Sequence, residues 1–329
     1  MASNPKSDFA DRDAHLEPAE VATVTSAAHS TGMGEGERLD SFNRHRPLLF
    51  AIAYRMLGSA ADAEDILQDT FIRWQQTSEL EIESPRALLV TILTRLAINH
   101  LQSARVKREE YVGHWLPEPL VTESRQNPSI AFEIDESLSI AFLLLLERLT
   151  PMERAVLVLR EVFDYEYKEI AAILEQSEAN CRQILRRARQ HIKEERTRFD
   201  ASREHREELL RKFSEASSQG NLEGLVALLS REAVFYSDGG GKAPALPRPI
   251  YGPENIARGM LEGRKRLVPN NLVRRFVEIN GQPGVVSFLD GRAFSVFSLD
   301  VADGLVHRLY VITNPEKLKR IPRLESFSS

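Results

Sequence analysis

The stretch TPMERAVLVLREVFDYEYKEIAAILEQSEANCRQILRRARQHIKEERTR, Thr150 to Arg198, decides the reading of this chain. It opens on Thr150-Pro151-Met152-Glu153: a hydroxyl able to cap a helix, proline at the first helical position and a capping-box acid. A second amphipathic run follows, with Tyr167, Ile170, Ala171 and Leu174 at helical spacing. After Glu175-Gln176, Ser177 stands where it can cap a third helix with the apolar stripe Cys181, Ile184, Leu185, Ala188 and Ile192. Opposite that stripe lie Arg182, Arg186, Arg189 and Lys193, a row of cations spaced for phosphates and base edges in a major groove. The pattern predicts a helix-turn-helix that reads duplex DNA. A basic helix face is also an ordinary solvated surface, so the rest of the chain must decide.

At 329 residues there is room for two or three domains, and 42% hydrophobic with 28% charged residues describes an ordinary globular protein. A net charge of -5 excludes a generally basic DNA binder, so any nucleic-acid contact is local. The one cysteine, Cys181, excludes an intramolecular disulfide framework and suits a reducing cytoplasm; its place on the apolar stripe predicts a packed thiol. No apolar run is long enough to span a bilayer, and the N-terminus lacks signal-peptide order, so no membrane partner is expected.

Residues 1–37 have few large apolar side chains and read as a disordered tail. Residues 38–111 read as three helices. The first carries Leu48, Leu49, Ile52, Ala53 and Met56 inward and stops at Gly58. Ser59 caps the second, which turns Ala63, Ile66, Leu67, Thr70, Phe71 and Trp74 inward and Asp62, Asp65, Gln68 and Asp69 outward. Ser84-Pro85 starts the third, with Thr91, Arg95 and Asn99 on one face running into Arg105, Lys107 and Arg108. Val112 to Ile134, with three prolines and an anchoring Trp115, reads as a linker; 135–200 holds a helix to Leu149 and the helix-turn-helix. From 203 to 329, helices precede alternating strands with turns at Asn280-Gly281, Asp290-Gly291 and Asp303-Gly304, an α+β domain with a curved antiparallel meander.

Together these blocks resemble an extracytoplasmic-function sigma factor. Asp62 through Phe71 is similar to the polymerase-docking helix of sigma region 2, while Leu149 through Arg154 and Ser177 through Arg189 are similar to region 4. Trp115-Leu116-Pro117-Glu118-Pro119, Asp238-Gly239-Gly240-Gly241-Lys242 and Asn314-Pro315-Glu316-Lys317-Leu318 resemble the signatures of a subgroup with a fused SnoaL-like domain of NTF2-like fold. Family turns usually carry glycine and an apolar residue where Glu175 and Gln176 stand, and a frequent glycine is here Ala179.

The resemblance implies two all-α sigma domains, a region 2 bundle and a region 4 helix-turn-helix, followed by an α+β cone. It implies an alternative sigma factor without catalytic residues, metal or cofactor, whose partners are the β′ and β subunits of core RNA polymerase and promoter DNA. Asp62, Asp65, Gln68 and Asp69 would dock on the polymerase. Thr91, Arg95, Asn99, Arg105, Lys107 and Arg108 would read the -10 element, and the loop Thr77 to Glu83 would hold an unstacked base. Asn180, Arg182, Gln183, Arg186, Arg187 and Arg189 would serve the -35 element, with Arg182 toward base edges and Arg189 toward phosphate. The Trp115, Asp238–Lys242 and Asn314–Leu318 motifs would regulate activity in place of a separate anti-sigma protein.

The alternative is a SnoaL-type ligand sensor or enzyme tethered to a DNA-binding half. In that reading the cone holds a small ligand, and Asp238, Tyr236 and His307 sit at its mouth, although spacing locates no acid–base pair. The Asp238–Lys242 motif is no phosphate loop, since Ala243 stands where Ser or Thr is required.

Overall fold

The structure is a computed structural model that describes residues 34–78, 84–109, 111–122, 136–193 and 202–327. Helix α1 (Glu35–Leu57) begins inside the stretch read as a tail. Its start is held by a distant contact. Arg38 donates to the carbonyls of Trp74 at 2.8 Å, Gln75 at 3.2 Å and Thr77 at 2.9 Å, and the Trp74 indole donates back to the Arg38 carbonyl. A cation thus satisfies the orphan carbonyls at the end of α2 (Ala60–Gln76), which local composition does not report.

Gly58 ends α1 at φ 66, and the Ser59 side chain caps α2 by accepting from the Asp62 N–H. Helix α3 (Pro85–Glu109) completes a three-helix bundle. The segment behind it is not wholly irregular. Val121–Thr122 forms β1, an edge strand of the C-terminal sheet, inside the stretch read as a linker.

The helix expected up to Leu149 is two pieces. A 3-10 turn, Glu136–Leu138, gives way to α4 (Ile140–Leu146) because Ser139 caps the second piece. Helix α5 (Pro151–Leu157) carries the full capping box: Thr150 accepts from the Glu153 N–H, and Glu153 accepts from the Thr150 N–H. A π-helical turn, Val158–Val162, leads to α6 (Tyr167–Leu174) and α7 (Glu178–Lys193), the paired helices of the turn motif. The two helical units share one core: Leu49, Ile52 and Leu93 from the first cluster with Val156, Leu159 and Ile184 from the second.

Helices α8 (Arg203–Gln219) and α9 (Leu222–Leu228) precede β2 (Leu229–Asp238), β3 (Ile250–Tyr251) and α10 (Pro253–Leu267). Then follow β4 (Val273–Ile279), β5 (Gln282–Leu289), β6 (Arg292–Ala302), β7 (Leu305–Ile312) and the short α11 (Pro315–Leu318). Sequence reading missed α10, which buries only Ile256 and Ala257 and so shows a thin apolar stripe; its Pro253 start and Arg264-Lys265-Arg266 end were the available signals. The sheet order is β1-β4-β5-β6-β7-β2-β3, and β2 pairs with β7 in parallel, so the sheet is more than a meander. At all three hairpin turns, Asn280-Gly281, Asp290-Gly291 and Asp303-Gly304, both residues have positive φ, as tight two-residue turns require.

Register shifts in β2, β5–β6 and β6–β7 bend the sheet. Its concave side packs Val285, Leu299 and Leu309 against Phe213, Leu225 and Ile256 of the helices. Its back packs Val286, Phe288, Val296 and Tyr310 against Leu116, Ile140 and Phe327. Both faces are buried.

Candidate nucleic-acid interface and the interdomain strap

Residues 111–122 run as a strap between the helical half and the back of the sheet. Glu118 binds one end of it to the bundle: its carboxylate accepts from the Ala61 N–H at 3.0 Å and the Ser59 hydroxyl at 3.2 Å, at the N-terminus of α2. An anion there is favoured by the helix dipole and by the unpaired N–H groups. The Glu118 N–H donates to the Gly58 carbonyl at 2.8 Å, and Tyr54 donates to the Glu118 carbonyl at 2.6 Å. The Trp115 ring lies over Gly58, where an added Cβ would fall 2.6 Å from its outermost carbon. Gly58 is therefore required twice, for its left-handed backbone and for the ring above it.

At the other end the strap is held by Asp238, which is fully buried. One carboxylate oxygen accepts from the Tyr111 hydroxyl at 2.6 Å and the Gly240 N–H at 3.0 Å. The other accepts from the Leu116 N–H at 2.9 Å and the Lys317 ammonium at 2.7 Å. Lys317 also donates to the Leu116 carbonyl and stands 4.4 Å from the Trp115 ring centroid. Asn314 donates to the Tyr111 hydroxyl at 2.8 Å and caps α11 by accepting from the Glu316 N–H. Burial, followed by the Asp238 contact, pushes the Tyr111 phenol above its ordinary range. At Gly240, with φ 59, a Cβ would come 2.3 Å from the Asn314 amide nitrogen, so the backbone approach excludes a side chain. Lys242 pairs with Glu316 at 3.3 Å on the outer edge, Gly239 and Gly241 complete the loop, and Leu318 is buried behind Pro315.

Asn280 ties three parts together, and sequence reading saw it only as a turn residue. Its amide donates to the Tyr54 hydroxyl at 2.6 Å and the Leu138 carbonyl at 3.0 Å, and accepts from the Leu120 N–H at 3.1 Å. Buried Arg154 adds a second bond between the helical units, donating to the Met56 carbonyl and Glu147, each at 2.7 Å. Burial pulls its guanidinium down to about 9. Breaking a buried pair of this kind costs about 3–5 kcal/mol.

The interface residues expected from sequence are distributed unevenly. Asp65, Gln68 and Asp69 are exposed on α2, and Asp62 is half-buried with His100 3.6 Å away. On α3, Asn99 is exposed and Thr91 bonds back to the Ala87 carbonyl at 2.8 Å. Arg95 is turned to the helix-turn-helix: it donates to the Ile173 carbonyl at 2.9 Å and pairs with Glu175 at 3.0 Å. Arg105, Lys107 and Arg108 fall on the last turns of α3, and their side chains lie outside the described residues, as do 79–83 of the base-holding loop.

On α7, Arg182, Arg186, Arg187, Gln183 and Arg189 are exposed, and Arg182, Arg186 and Arg189 surround a recess beside Tyr167. Arg182 pairs with Glu178 at 2.7 Å with its guanidinium 4.7 Å from the Tyr167 ring centroid, and Arg189 pairs with Glu161. Asn180 bonds the Gln176 side chain at 2.7 Å. Cys181 is buried, and burial raises its thiol pKa.

The concave side of the sheet encloses a cavity of about 590 Å³ among Phe213, Phe235, Met260, Val285 and Phe297. Asp238, Tyr236 and His307 do not line it, which corrects the placement expected in the sensor or enzyme reading. On β2, Phe235 and Ser237 face the cavity, so the pleat sends Tyr236 and Asp238 to the back. There Tyr236 stacks on Tyr310, and its ring lies 4.7 Å from His114, whose pKa burial lowers.

A bundle with an acidic helix face, sharing one core with a helix-turn-helix that carries a basic recess, defines a transcription initiation factor of the sigma-70 class. The Sigma-70 region 2 family matches residues 42–106, and the Sigma-70 region 4 family matches residues 139–192. The chain is 34% identical over 298 residues to the ECF RNA polymerase sigma factor SigJ of Mycobacterium tuberculosis (strain ATCC 25618 / H37Rv), spanning 87% of this chain and 95% of the relative. It is 29% identical over 280 residues to the probable ECF RNA polymerase sigma factor SigI of the same organism, spanning 84% and 93%. The crystal structure of M. tuberculosis SigJ superposes with a TM-score of 0.70 at 33% identity, over 85% of this chain and 97% of that one. The chain belongs to the extracytoplasmic-function (ECF) sigma factors of RNA polymerase.

Proposed function

We propose that this sigma factor is held in a closed, promoter-incompetent state by its own C-terminal domain, and that core polymerase and promoter DNA capture the open state. The observation that carries the reading is Arg95, on the face expected to meet the -10 element, spent on the Ile173 carbonyl and Glu175 of the helix-turn-helix. Helix α3 cannot offer that side chain to DNA while α6 holds it. The acidic row Asp65, Gln68 and Asp69 stays exposed, so docking on a basic coiled coil of the polymerase need not await opening.

In this reading Thr91, Arg95, Asn99, Arg105, Lys107 and Arg108 contact the -10 element, and Asn180, Arg182, Gln183, Arg186, Arg187 and Arg189 contact the -35 element. The strap sets the balance. Tyr111, Leu116 and Trp115 bind Asp238 and Lys317 on one side, Glu118 and Trp115 bind α2 and Gly58 on the other, and Asn280 bridges both. The protein would act in the cytoplasm beside the polymerase, and among the described residues no helix is long and apolar enough to cross a membrane.

Run-off transcription with purified core polymerase tests this. Tyr111→Phe removes two hydrogen bonds, to Asp238 and from Asn314, at about 0.5–1.5 kcal/mol each, and keeps the ring. Transcription from the cognate promoter should rise roughly 2–10-fold if strap and closed state are linked. Unchanged output for Tyr111→Phe, and for a chain cut before Asn314, rejects self-regulation while leaving the sigma assignment intact.

A further inference from the structure

The cavity on the concave side of the sheet has a composition that narrows its occupant. Its walls are mostly apolar, and the charged side chains lining it are Lys242, Arg264 and Arg274; among the described lining residues none is acidic. Arg264 spends one nitrogen on the Ser217 carbonyl at 2.9 Å, and no carboxylate is paired with either arginine among the ion pairs formed by described residues. Partial burial, then the neighbouring Arg264 charge, lowers the Arg274 pKa. Two guanidinium groups that repel each other at the edge of an apolar chamber are stabilised by an anion between them. At about 590 Å³ the chamber is within the range of sites for small organic ligands.

We propose that this cavity binds a small amphiphilic acid: an apolar body among Phe213, Phe235, Met260 and Phe297, and one anionic head group against Arg274 and Arg264. The head is a carboxylate or a phosphate monoester, since a guanidinium pair recognises both. The site has a built-in route to the strap. Lys242, Thr313, Pro315 and Leu318 line the cavity, and they belong to the two segments that hold Asp238 and Lys317 against Tyr111 and Leu116. An occupant packed against these lining residues would therefore bias the closed state. That consequence rests on the self-regulation proposed above; the binding itself does not.

The test is calorimetric titration of the purified full chain, without polymerase, using decanoate, decyl phosphate and decanol below their micelle concentrations. At least one of the two acids should bind saturably and about ten-fold or more tighter than the alcohol. Arg274→Met should remove that preference and leave decanol affinity unchanged. Gly263→Leu should weaken all three, because Gly263 lines the cavity and an added Cβ there meets nothing within 4 Å, so the backbone accepts the side chain. Circular dichroism confirms that each variant is folded. Absence of saturable binding by the wild-type chain, or equal affinity for acid and alcohol, overturns the assignment, as does an unchanged preference in folded Arg274→Met. Because no polymerase is present, such a failure leaves self-regulation standing, and a failed Tyr111→Phe transcription test leaves the binding result standing.

Discussion

Arg95 and Glu175 face each other at 3.0 Å across the boundary between the two sigma units, and the Ile173 carbonyl takes the Arg95 Nε at 2.9 Å. Glu175 does this from φ 54, a left-handed conformation that costs a non-glycine residue about 1–2 kcal/mol. Where related turns usually place glycine, this chain spends backbone energy on a carboxylate aimed at α3.

Glu175→Gly separates the two effects. It removes the left-handed penalty and an exposed ion pair worth at most about 1 kcal/mol, so unfolding free energy should change by less than ~1 kcal/mol. Binding of the full chain to a promoter fragment should strengthen about 2–5-fold as Arg95 is freed. Denaturant unfolding and fluorescence anisotropy check the two halves.

Asn280→Gly keeps the left-handed turn accessible while deleting two buried hydrogen bonds and a third that is part-buried, and leaves the Leu138 carbonyl and Leu120 N–H without their Asn280 partner. A loss of about 2–4 kcal/mol is expected in denaturant unfolding. Limited proteolysis should then cut the strap faster. If cleavage of 111–122 is unaltered, Asn280 does not anchor the strap.

Asp300 contributes a pH dependence of known sign. Burial raises its carboxyl to about 6, against the opposing Tyr310 hydrogen bond at 2.6 Å and the charges of Arg308 and Arg206. The folded state holds the proton more tightly than the unfolded one, so its stabilising effect is complete below the unfolded value of 3.8. It is lost as pH rises through about 6, by about 3 kcal/mol. Asp300→Asn should remove that decline, so the stability of the variant relative to wild type rises between pH 4 and pH 7, approximately the window set by those two values. Parallel urea titrations across that range measure it.

Arg182 and Arg189 should separate selectivity from affinity. Arg182→Ala should cost about 1–3 kcal/mol on the preferred -35 sequence and relax its preference. Arg189→Ala should weaken all sequences alike and lower the salt slope by about one. Binding isotherms at several salt concentrations on matched and mutated promoters distinguish the two.

Local chemistry made many elements legible. Thr150 and Glu153 form the capping box their spacing predicts, Ser59 caps α2, and the Asn-Gly and Asp-Gly pairs make the expected hairpins. Each is a short-range hydrogen bond or dihedral preference written within a few residues. Tyr111, Tyr54, Glu118 and Asn280 escaped notice as a group because their partners lie far away in the chain: Tyr111 meets Asp238 and Tyr54 meets Asn280. Nothing local distinguishes a tyrosine that will bind a strap from one that will not.

By itself the sequence determined the helices of both sigma units, the α+β character of the C-terminal part and the motifs that carry the family. Only the tertiary structure decided what those motifs touch. With both faces of the sheet buried, the alternation on β2 says that Ser237 and Asp238 oppose each other but not which faces the cavity. Packing settles it, sending Ser237 to the chamber and Asp238 to the strap. The same holds for Arg95. Its place on α3 follows from helical spacing, but its engagement by Ile173 and Glu175 depends on two units sharing one core.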